Sequence, residues 1–314
     1  MNCENIAKMI SVVCVASCLM NSNALAEKIY KYKTENGSIL FTNKTTTDGE
    51  LVSVQQSEVY EPKQRVTIQK NDRDDDFTVD ANNEYYGPVE VHVNLDKNQN
   101  YNSNISFPHS FTLSAREKRN LFRMWIADRQ YESVITYTTT VVLGDPAAVH
   151  DDNVIYGLPI AVSDLGQVYI SQAFNGGKTH SHIQSTYAID IPAPEGTNIR
   201  AARSGIVMDI ANDFFRSGNT DQYKDRANFV RILHDDGTMG LYAHLQLESI
   251  QVRMGERVQV GQVIANVGST GFSAGPHLHF VVQKNFGREL RSVPFRLLGA
   301  NGIGVIPEEG MIFR

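Results

Sequence analysis

The sequence has little cysteine, and none beyond its first 18 residues. The only three cysteines of the 314-residue chain are Cys3, Cys14 and Cys18. Structural disulfides and cysteine-ligated metals are therefore excluded for everything that follows residue 18. The sequence also lacks an excess of positive charge, since its formal net charge is -6, and it has no basic patch. We therefore expect no nucleic-acid partner.

The first 26 residues have the pattern of an export signal rather than of a folded domain. Lys8 precedes an apolar run over residues 9–20, which is too short for a permanent membrane-spanning helix. The ALA stretch at residues 24–26 is a small-x-small cleavage site. We expect a secreted protein whose mature chain begins at Glu27.

A lipid anchor is the alternative to cleavage after residue 26. The VASC stretch at residues 15–18 resembles a bacterial lipobox, in which Cys18 would be lipidated and become the first residue. Lipidation at Cys18 would associate the protein with the outer membrane. A signal without a wall-anchoring tail favours the periplasm or the outer membrane of a Gram-negative cell in either case.

Residues 27–69 predict a small β module. The stretch EKIYKYKTENGSILFTNK contains two runs of alternating apolar and polar residues around Glu35-Asn36-Gly37, a typical hairpin signal. The stretch resembles a small domain found near the N-termini of many exported bacterial proteins. Residues 70–87 follow as a predicted acidic linker, because their charge run resembles a solvated segment. A calcium loop is the alternative, but the run lacks the glycine and the terminal glutamate of such loops.

Residues 88–150 predict a β-sandwich-like accessory domain. Alternating runs such as VEVHVNL and YESVITYTTTVVLG indicate strands. One helical interruption is possible at residues 114–125, with Ser114 as the N-cap and Glu117 three residues later. No chemistry is evident in this domain.

Residues with chemical potential concentrate in the last stretch, 154–314. The GPHLHF sequence contains His277 and His279, which alternation places on the same face of a strand. Asp190 lies in an otherwise apolar strand, where a carboxylate is costly unless it is paired or binds a metal. The remaining candidates are His244, after a predicted hairpin, and either His180 or His182 on a glycine-rich loop.

This set of side chains is typical of a zinc hydrolase. Neutral imidazoles and one carboxylate are the ligands that zinc takes in catalytic sites, which keep a further position open. Zinc polarises a carbonyl and acidifies water, as amide hydrolysis requires. The histidines outside the ligand set can transfer protons or stabilise an oxyanion. No HExxH motif occurs, which excludes the zinc peptidases that bind metal through a helix.

The region from about residue 175 to residue 287 resembles the lysostaphin-type zinc metallopeptidases. These enzymes cut peptide cross-links in bacterial cell walls. The resemblance is carried, in the same order along the chain, by FNGGKTHSH, YAIDIPAPEGTNIRAARSGIV, NFVRILHDDGTMGLYAHL, VQVGQVIANVGSTG and GPHLHF. It implies an all-β, mostly antiparallel fold, with a C-terminal peptidase domain over residues 154–314 preceded by the accessory β modules.

The resemblance also implies a role for each candidate residue. By match, His180, Asp190 and His279 hold zinc, while His244 and His277 line the reacting carbonyl. The commonest relatives have their first ligand four residues before the aspartate, where this chain has Thr186. A subgroup with a longer loop has it further upstream, which favours His180 and leaves His182 as the alternative.

The function implied is a secreted zinc metalloendopeptidase that hydrolyses amide bonds in peptidoglycan cross-links. Its substrate would be the stem peptides of the cell wall, and we expect a monomer. A non-hydrolytic regulator of other cell-wall hydrolases is one alternative, and an enzyme inhibited by its own N-terminal modules is another. Tyr242 lies two residues before His244 and could reach the same site, the alternative being a packed aromatic.

Overall fold

The computed structural model describes residues 27–34, 39–42, 45–47, 49–57, 63–177, 179–299 and 301–314. Helix in these residues is limited to α1 (Val162–Leu165) and one 3₁₀ turn (Asp221–Tyr223). The structure confirms the all-β, mostly antiparallel prediction. No helix among the described residues has the length and apolar character needed to cross a bilayer. The predicted signal, with Cys18 and the other two cysteines, lies outside the described residues.

The N-terminal module is a three-stranded antiparallel sheet. Its strands are β1 (Glu27–Lys33), β2 (Ile39–Thr42) and β3 (Glu50–Ser57), in the spatial order β2-β1-β3. The predicted pairing of β1 with β2 is confirmed, with Lys33 opposite Ile39. The turn at Glu35-Asn36-Gly37 itself lies outside the described residues.

The second module is a sandwich of two antiparallel sheets. One sheet has the order β4-β5-β9-β7 and the other has the order β10-β6-β8. Phe77 and Val79 of the first sheet pack with Val89 and Val91 of the second in a common core. The strands are β4 (Val66–Asp72), β5 (Asp76–Asn83), β6 (Val89–Gln99), β7 (Tyr101–Ser103), β8 (His109–Leu113), β9 (Lys118–Ile126) and β10 (Val134–Leu143).

The prediction of an acidic linker over residues 70–87 is wrong. β4 and β5 pair as a hairpin of the sandwich, with Val66 opposite Asn83 and Asp72 opposite Phe77, so the sandwich begins at Val66 rather than at residue 88. The carboxylates of Asp75 and Asp76 form ion pairs with arginines of the same module. Such charges on the outer face of a hairpin give the sequence the polarity of a linker, while the alternate buried residues of β5 hold the hairpin to the core.

The predicted helix at residues 114–125 is also wrong, because most of the stretch forms β9. One of the two bonds of the predicted capping box does form, since the Ser114 N–H donates to Glu117 Oε2 at 2.6 Å. It closes a tight turn, however, and the chain then enters the sheet. Phe122 and Met124 are buried on either side of the exposed Arg123, and this alternation is the strand pattern.

The C-terminal domain is built on one large antiparallel sheet with the order β13-β20-β17-β16-β15-β18, and β21 pairs with β20. Small sheets surround it: β11-β22-β23, β12-β24 and β14-β19. The strands are β11 (Ile155–Tyr156), β12 (Val168–Tyr169), β13 (Ile189–Pro192), β14 (Asn198–Arg200), β15 (Gly205–Ala211), β16 (Phe229–Leu233), β17 (Met239–Ala243), β18 (Arg257–Val258), β19 (Val263–Asn266), β20 (His277–Asn285), β21 (Leu290–Ser292), β22 (Arg296–Leu298), β23 (Gly304–Val305) and β24 (Ile312–Phe313).

The two faces of the large sheet have different surroundings, as the alternating side chains of β20 show. Leu278, Phe280 and Val282 are fully buried in the core of the C-terminal domain. His277 and His279 therefore lie on the opposite face, as alternation requires. The sandwich covers another part of that opposite face, because Met208 and Met239 belong to the sandwich core.

Asn285, at the last position of β20, joins the sandwich to the C-terminal domain. Its side chain is fully buried, and its Nδ2 donates to Glu90 Oε2 and to the Gly144 carbonyl, each at 3.0 Å. Its Oδ1 accepts from the Gly287 N–H at 2.8 Å. Strand geometry separates Asn285 from His277 by roughly 26 Å, so this junction is remote from the histidines.

Replacing Asn285 with alanine should destabilise the protein by about 1–3 kcal/mol, because it leaves buried acceptors unpaired. Urea denaturation of Asn285→Ala measures this change in the free energy of unfolding. Asn94→Ala is the matched control, since that asparagine is exposed and bonds only at the surface. Its effect should stay within about 0.5 kcal/mol. Equal effects of the two variants would contradict the role of Asn285.

Candidate metal centre

The pairing register of β13 with β20 brings a carboxylate against an imidazole. Asp190 lies directly opposite His279, and Pro192 lies opposite His277. Asp190 Oδ1 is 2.9 Å from His279 Nδ1. The aspartate is buried, and its strand neighbours Ile189 and Ile191 point into the apolar core.

The loop before β13 brings His180 to the same carboxylate. His180 Nδ1 donates to the Ala173 carbonyl at 2.8 Å. Because a carbonyl oxygen only accepts, Nδ1 carries the proton and Nε2 keeps its lone pair. That Nε2 lies 3.3 Å from Asp190 Oδ1, so a nitrogen lone pair and a carboxylate oxygen face each other. It is buried and has no hydrogen-bond partner among the described residues.

His180, Asp190 and His279 together can hold a metal ion. One ligand atom from each lies within 4.8 Å of the others. The unpartnered Nε2 of His180 fits this role, because a buried lone pair is costly unless something binds it. Two imidazoles and one carboxylate are also a ligand set of catalytic zinc sites. The residues present therefore fit the predicted metal.

The electrostatics of the centre favour an ionised Asp190. Burial opposes the charged carboxylate, but the effect of the neighbouring His180 and His279 outweighs it. Together they hold the pKa of Asp190 well below its usual range. An anionic oxygen is the form that a metal ligand requires.

The path of the loop places His180, and not His182, beside Asp190. His182 is exposed and does not belong to the cluster of ligand atoms. Its carbonyl instead accepts the Ser185 N–H at 2.9 Å and the Thr186 hydroxyl at 2.9 Å, so its backbone turns the loop. The structure thus brings His180 into the centre.

His244 faces the centre from the end of β17. Its ring centroid is 4.7 Å from that of His277 and 5.8 Å from that of His279. Its Nδ1 donates to the Thr270 carbonyl at 2.7 Å. Desolvation, together with the neighbouring His277 and His279, lowers the pKa of His244 to about 3. His244 is therefore neutral near pH 7, with a lone pair on Nε2.

His277 is held in the same way as His244. Its Nδ1 donates to the Gly275 carbonyl at 2.8 Å, and its Nε2 lies 3.9 Å from Asp190 Oδ1. Both rings therefore direct Nε2 towards the metal centre. The five predicted site residues are brought together in one place, with their separate roles remaining predictions.

Tyr242 does not reach the site, contrary to one of the two expectations for it. Its ring is fully buried against Phe280, with centroids 4.9 Å apart, and its hydroxyl accepts the Ala202 N–H at 2.7 Å. Alternation fails between Tyr242 and His244 because His244 lies outside the strand and has a positive φ of 64°.

Two residues next to the site, Thr270 and Asn228, were not singled out from the sequence. Thr270 supplies the carbonyl that orients His244, and Asn228 bonds in turn to Thr270. Thr270 lies within a motif that resembles the peptidase family, but its residue type alone gives no signal of a role. Long-range hydrogen bonds reveal both residues.

Comparison with known proteins identifies a family for part of the chain. Residues 184–290 match peptidase family M23. The matched stretch contains Asp190, His244, His277 and His279, while His180 lies four residues before it. The first ligand candidate therefore rests on the geometry of the loop.

Two curated relatives are bacterial peptidases by name. The peptidoglycan DD-endopeptidase ShyC of Vibrio cholerae serotype O1 is 35% identical over 114 residues, which is 35% of this chain and 24% of the relative. The DD-carboxypeptidase/endopeptidase Mpg of Neisseria meningitidis serogroup B is 40% identical over 97 residues, which is 31% of this chain and 20% of the relative. The chain thus spans about a quarter or less of the length of these relatives.

One similar solved structure is the catalytic domain of the prophage-encoded M23 protein EnpA from Enterococcus faecalis. It is 28% identical in sequence and superposes with a TM-score of 0.30. The alignment covers 40% of this chain and 87% of that one.

His180→Ala should abolish metal binding, whereas His182→Ala should leave it intact. Loss of His180 leaves two ligands, which hold zinc poorly. The measurement is metal content per chain after zinc loading and desalting, with circular dichroism as the check on folding. We expect about one zinc per chain in the wild type, as for a single three-ligand site. Loss of zinc in His182→Ala alone would reverse the assignment.

Proposed function

Because residues 184–290 form a domain of peptidase family M23, we propose that the protein is a zinc-dependent endopeptidase that hydrolyses amide bonds in peptidoglycan cross-links. The observation that carries the proposal is that five side chains meet at the His277 end of β20. Three of them, His180, Asp190 and His279, offer metal ligands. The other two, His244 and His277, face the same centre.

The ligand residues would hold zinc through His180 Nε2, Asp190 Oδ1 and His279 Nδ1, which are the atoms that approach one another. When bound, zinc supplies a Lewis acid that polarises a substrate carbonyl and acidifies water. Asp190 contributes a negative charge, and the Ala173 carbonyl keeps the lone pair of His180 on Nε2.

His244 and His277 would carry out the proton transfers. Each has its Nδ1–H committed to a backbone carbonyl, so only Nε2 is available for a proton of the reaction. One imidazole would accept a proton from the attacking water at Nε2. The backbone carbonyl bonded to its Nδ1–H would stabilise the positive charge of the resulting imidazolium. The resulting imidazolium can then protonate the leaving amine. Together with the other imidazole, it would also stabilise the negative charge that develops on the carbonyl oxygen.

The substrate class is proposed from the names of the two relatives, a peptidoglycan DD-endopeptidase and a DD-carboxypeptidase/endopeptidase. Stem-peptide cross-links of the cell wall are the substrate that we propose on this basis. The predicted export signal over residues 1–26 would place the protein with this substrate, in the periplasm or, after lipidation at Cys18, at the outer membrane.

A non-hydrolytic regulator is less well supported by the site. A regulator needs neither metal ligands nor proton-transfer groups, yet this chain assembles both around Asp190. Inhibition by the sandwich is also less well supported, since the junction at Asn285 lies at the opposite end of β20 from His277. The N-terminal sheet contacts the C-terminal domain where Lys31 and Glu248 pair at 3.0 Å. We propose that this contact also leaves the site accessible and that the protein from residue 27 is active.

The purified protein from Glu27 onward should cleave isolated peptidoglycan when zinc is bound. Chelation should abolish cleavage, and added zinc should restore it, because the carbonyl would otherwise lack its Lewis acid. Chromatography with mass spectrometry of the released muropeptides measures the reaction. Bound zinc without new products would contradict the proposed hydrolysis and would support a regulator or an inhibited enzyme.

His277→Ala should retain zinc but reduce cleavage by about 10²–10⁴-fold, the usual contribution of a positioned acid or base. The measurements are zinc content and the rate of muropeptide release. His92→Ala is the matched control, because this half-buried histidine of the sandwich bonds to Ser110 and lies outside the site. It should change neither quantity. Full activity in His277→Ala would remove His277 from the mechanism.

A further inference from the structure

His244 has a backbone conformation that other residues must maintain. Its φ of 64° lies in the left-handed region, which is uncommon for a residue with a side chain. Such a conformation is costly and persists only when its surroundings over-determine it. The contacts that hold His244 are therefore part of how its ring is presented to the metal centre.

The residue after His244 is fixed at both of its backbone polar groups. The Leu245 N–H donates to the Asn228 carbonyl at 3.1 Å. The Leu245 carbonyl accepts from Thr270 Oγ1 at 2.8 Å and from Asn228 Nδ2 at 3.2 Å. Asn228 and Thr270 thus clamp the chain immediately after the strained position.

Thr270 binds both the backbone next to His244 and its ring. Its carbonyl accepts His244 Nδ1–H at 2.7 Å, while its hydroxyl bonds to Leu245. The same hydroxyl accepts the Asn228 N–H at 3.0 Å, so both hydrogen-bonding functions of the hydroxyl are used. One residue therefore couples the orientation of the imidazole to the conformation of its backbone.

The loop that carries Thr270 also touches the other proposed catalytic histidine. The Gly268 N–H donates to the His244 carbonyl at 3.1 Å, and the Gly268 carbonyl accepts the His277 N–H at 3.3 Å. A Cβ at Gly268 would lie 2.4 Å from the backbone nitrogen of Gln246, so only glycine permits this approach. The loop thus fixes the two histidines relative to each other.

We propose that Thr270 and Asn228 are positioning residues that set the orientation of His244. Asn228 is 0% exposed and Thr270 is 5% exposed, so their side chains act on the site through His244 rather than by touching a substrate. The Asn228 amide is saturated, since its Oδ1 accepts the Phe214 N–H and its Nδ2 donates to the carbonyls of Phe214 and Leu245. The catalytic part of this inference rests on the proposed function, whereas the structural part does not.

The first test replaces the Thr270 hydroxyl by a methyl group. Thr270→Val should retain zinc but lower turnover on the order of ten- to a hundredfold, because small displacements of a catalytic group are costly. Thr270→Ser, which keeps the hydroxyl, should recover most of that loss. If valine does not fit, Thr270→Ala removes the same hydroxyl with less bulk.

Thr238→Val is the matched control for a loss of stability alone. Thr238 is likewise fully buried, and its hydroxyl donates to Asp236 Oδ1 at 2.7 Å. It precedes β17, whereas His244 follows that strand, which places them roughly 20 Å apart. Both Thr→Val variants should lower the melting temperature, but only Thr270→Val should change turnover. In a His244→Ala background, Thr270→Val should cause no further loss of turnover.

Nuclear magnetic resonance gives a readout that needs no substrate. Long-range ¹H–¹⁵N spectra of the zinc-loaded wild type should show His244 in a single tautomer protonated at Nδ1. Thr270→Val should shift this signal towards a mixture of tautomers, while Thr238→Val should not. An unchanged His244 signal in Thr270→Val would overturn the positioning role. If the wild type cleaves no peptidoglycan, the proposed function fails, but the spectra still decide this inference.

Discussion

The burial of one carboxylate constrains the whole site. Asp190 lies between two isoleucines of the apolar core, where an ionised group is unstable without partners. Strand pairing supplies His279, and the preceding loop supplies His180. The same imidazoles that keep Asp190 ionised complete a set of metal ligands with it. The same contacts therefore stabilise the fold at this point and form the candidate metal centre.

Backbone carbonyls then decide which nitrogen each histidine presents. Ala173, Thr270 and Gly275 accept Nδ1–H of His180, His244 and His277, respectively, and each bond leaves Nε2 with its lone pair. All three carbonyls belong to loops rather than to strands. The sheet thus provides a rigid base, while the loops determine the tautomers and hence the available chemistry.

The sandwich shows how local sequence signals can be correct and still mislead. The bond between Ser114 and Glu117 forms as a capping box predicts, but it closes a turn because the following residues gain more by alternate burial in β9. The acidic run before β5 is exposed, as its charge indicates, yet it lies in a hairpin and not in a linker. In both places tertiary packing overrides a local preference.

The sequence by itself determined that the fold is all-β and that His277 and His279 share one face of a strand. It also determined that Asp190, in an apolar strand, needs a partner. These follow from strand alternation and from the cost of a buried charge, which are local or compositional rules. Only the tertiary structure decided that His180 rather than His182 joins the centre, because that depends on how a loop folds back. The contacts of Thr270 were likewise visible only in the tertiary structure. The bond between Thr270 and Asn228 joins residues 42 positions apart, beyond the reach of any sequence pattern.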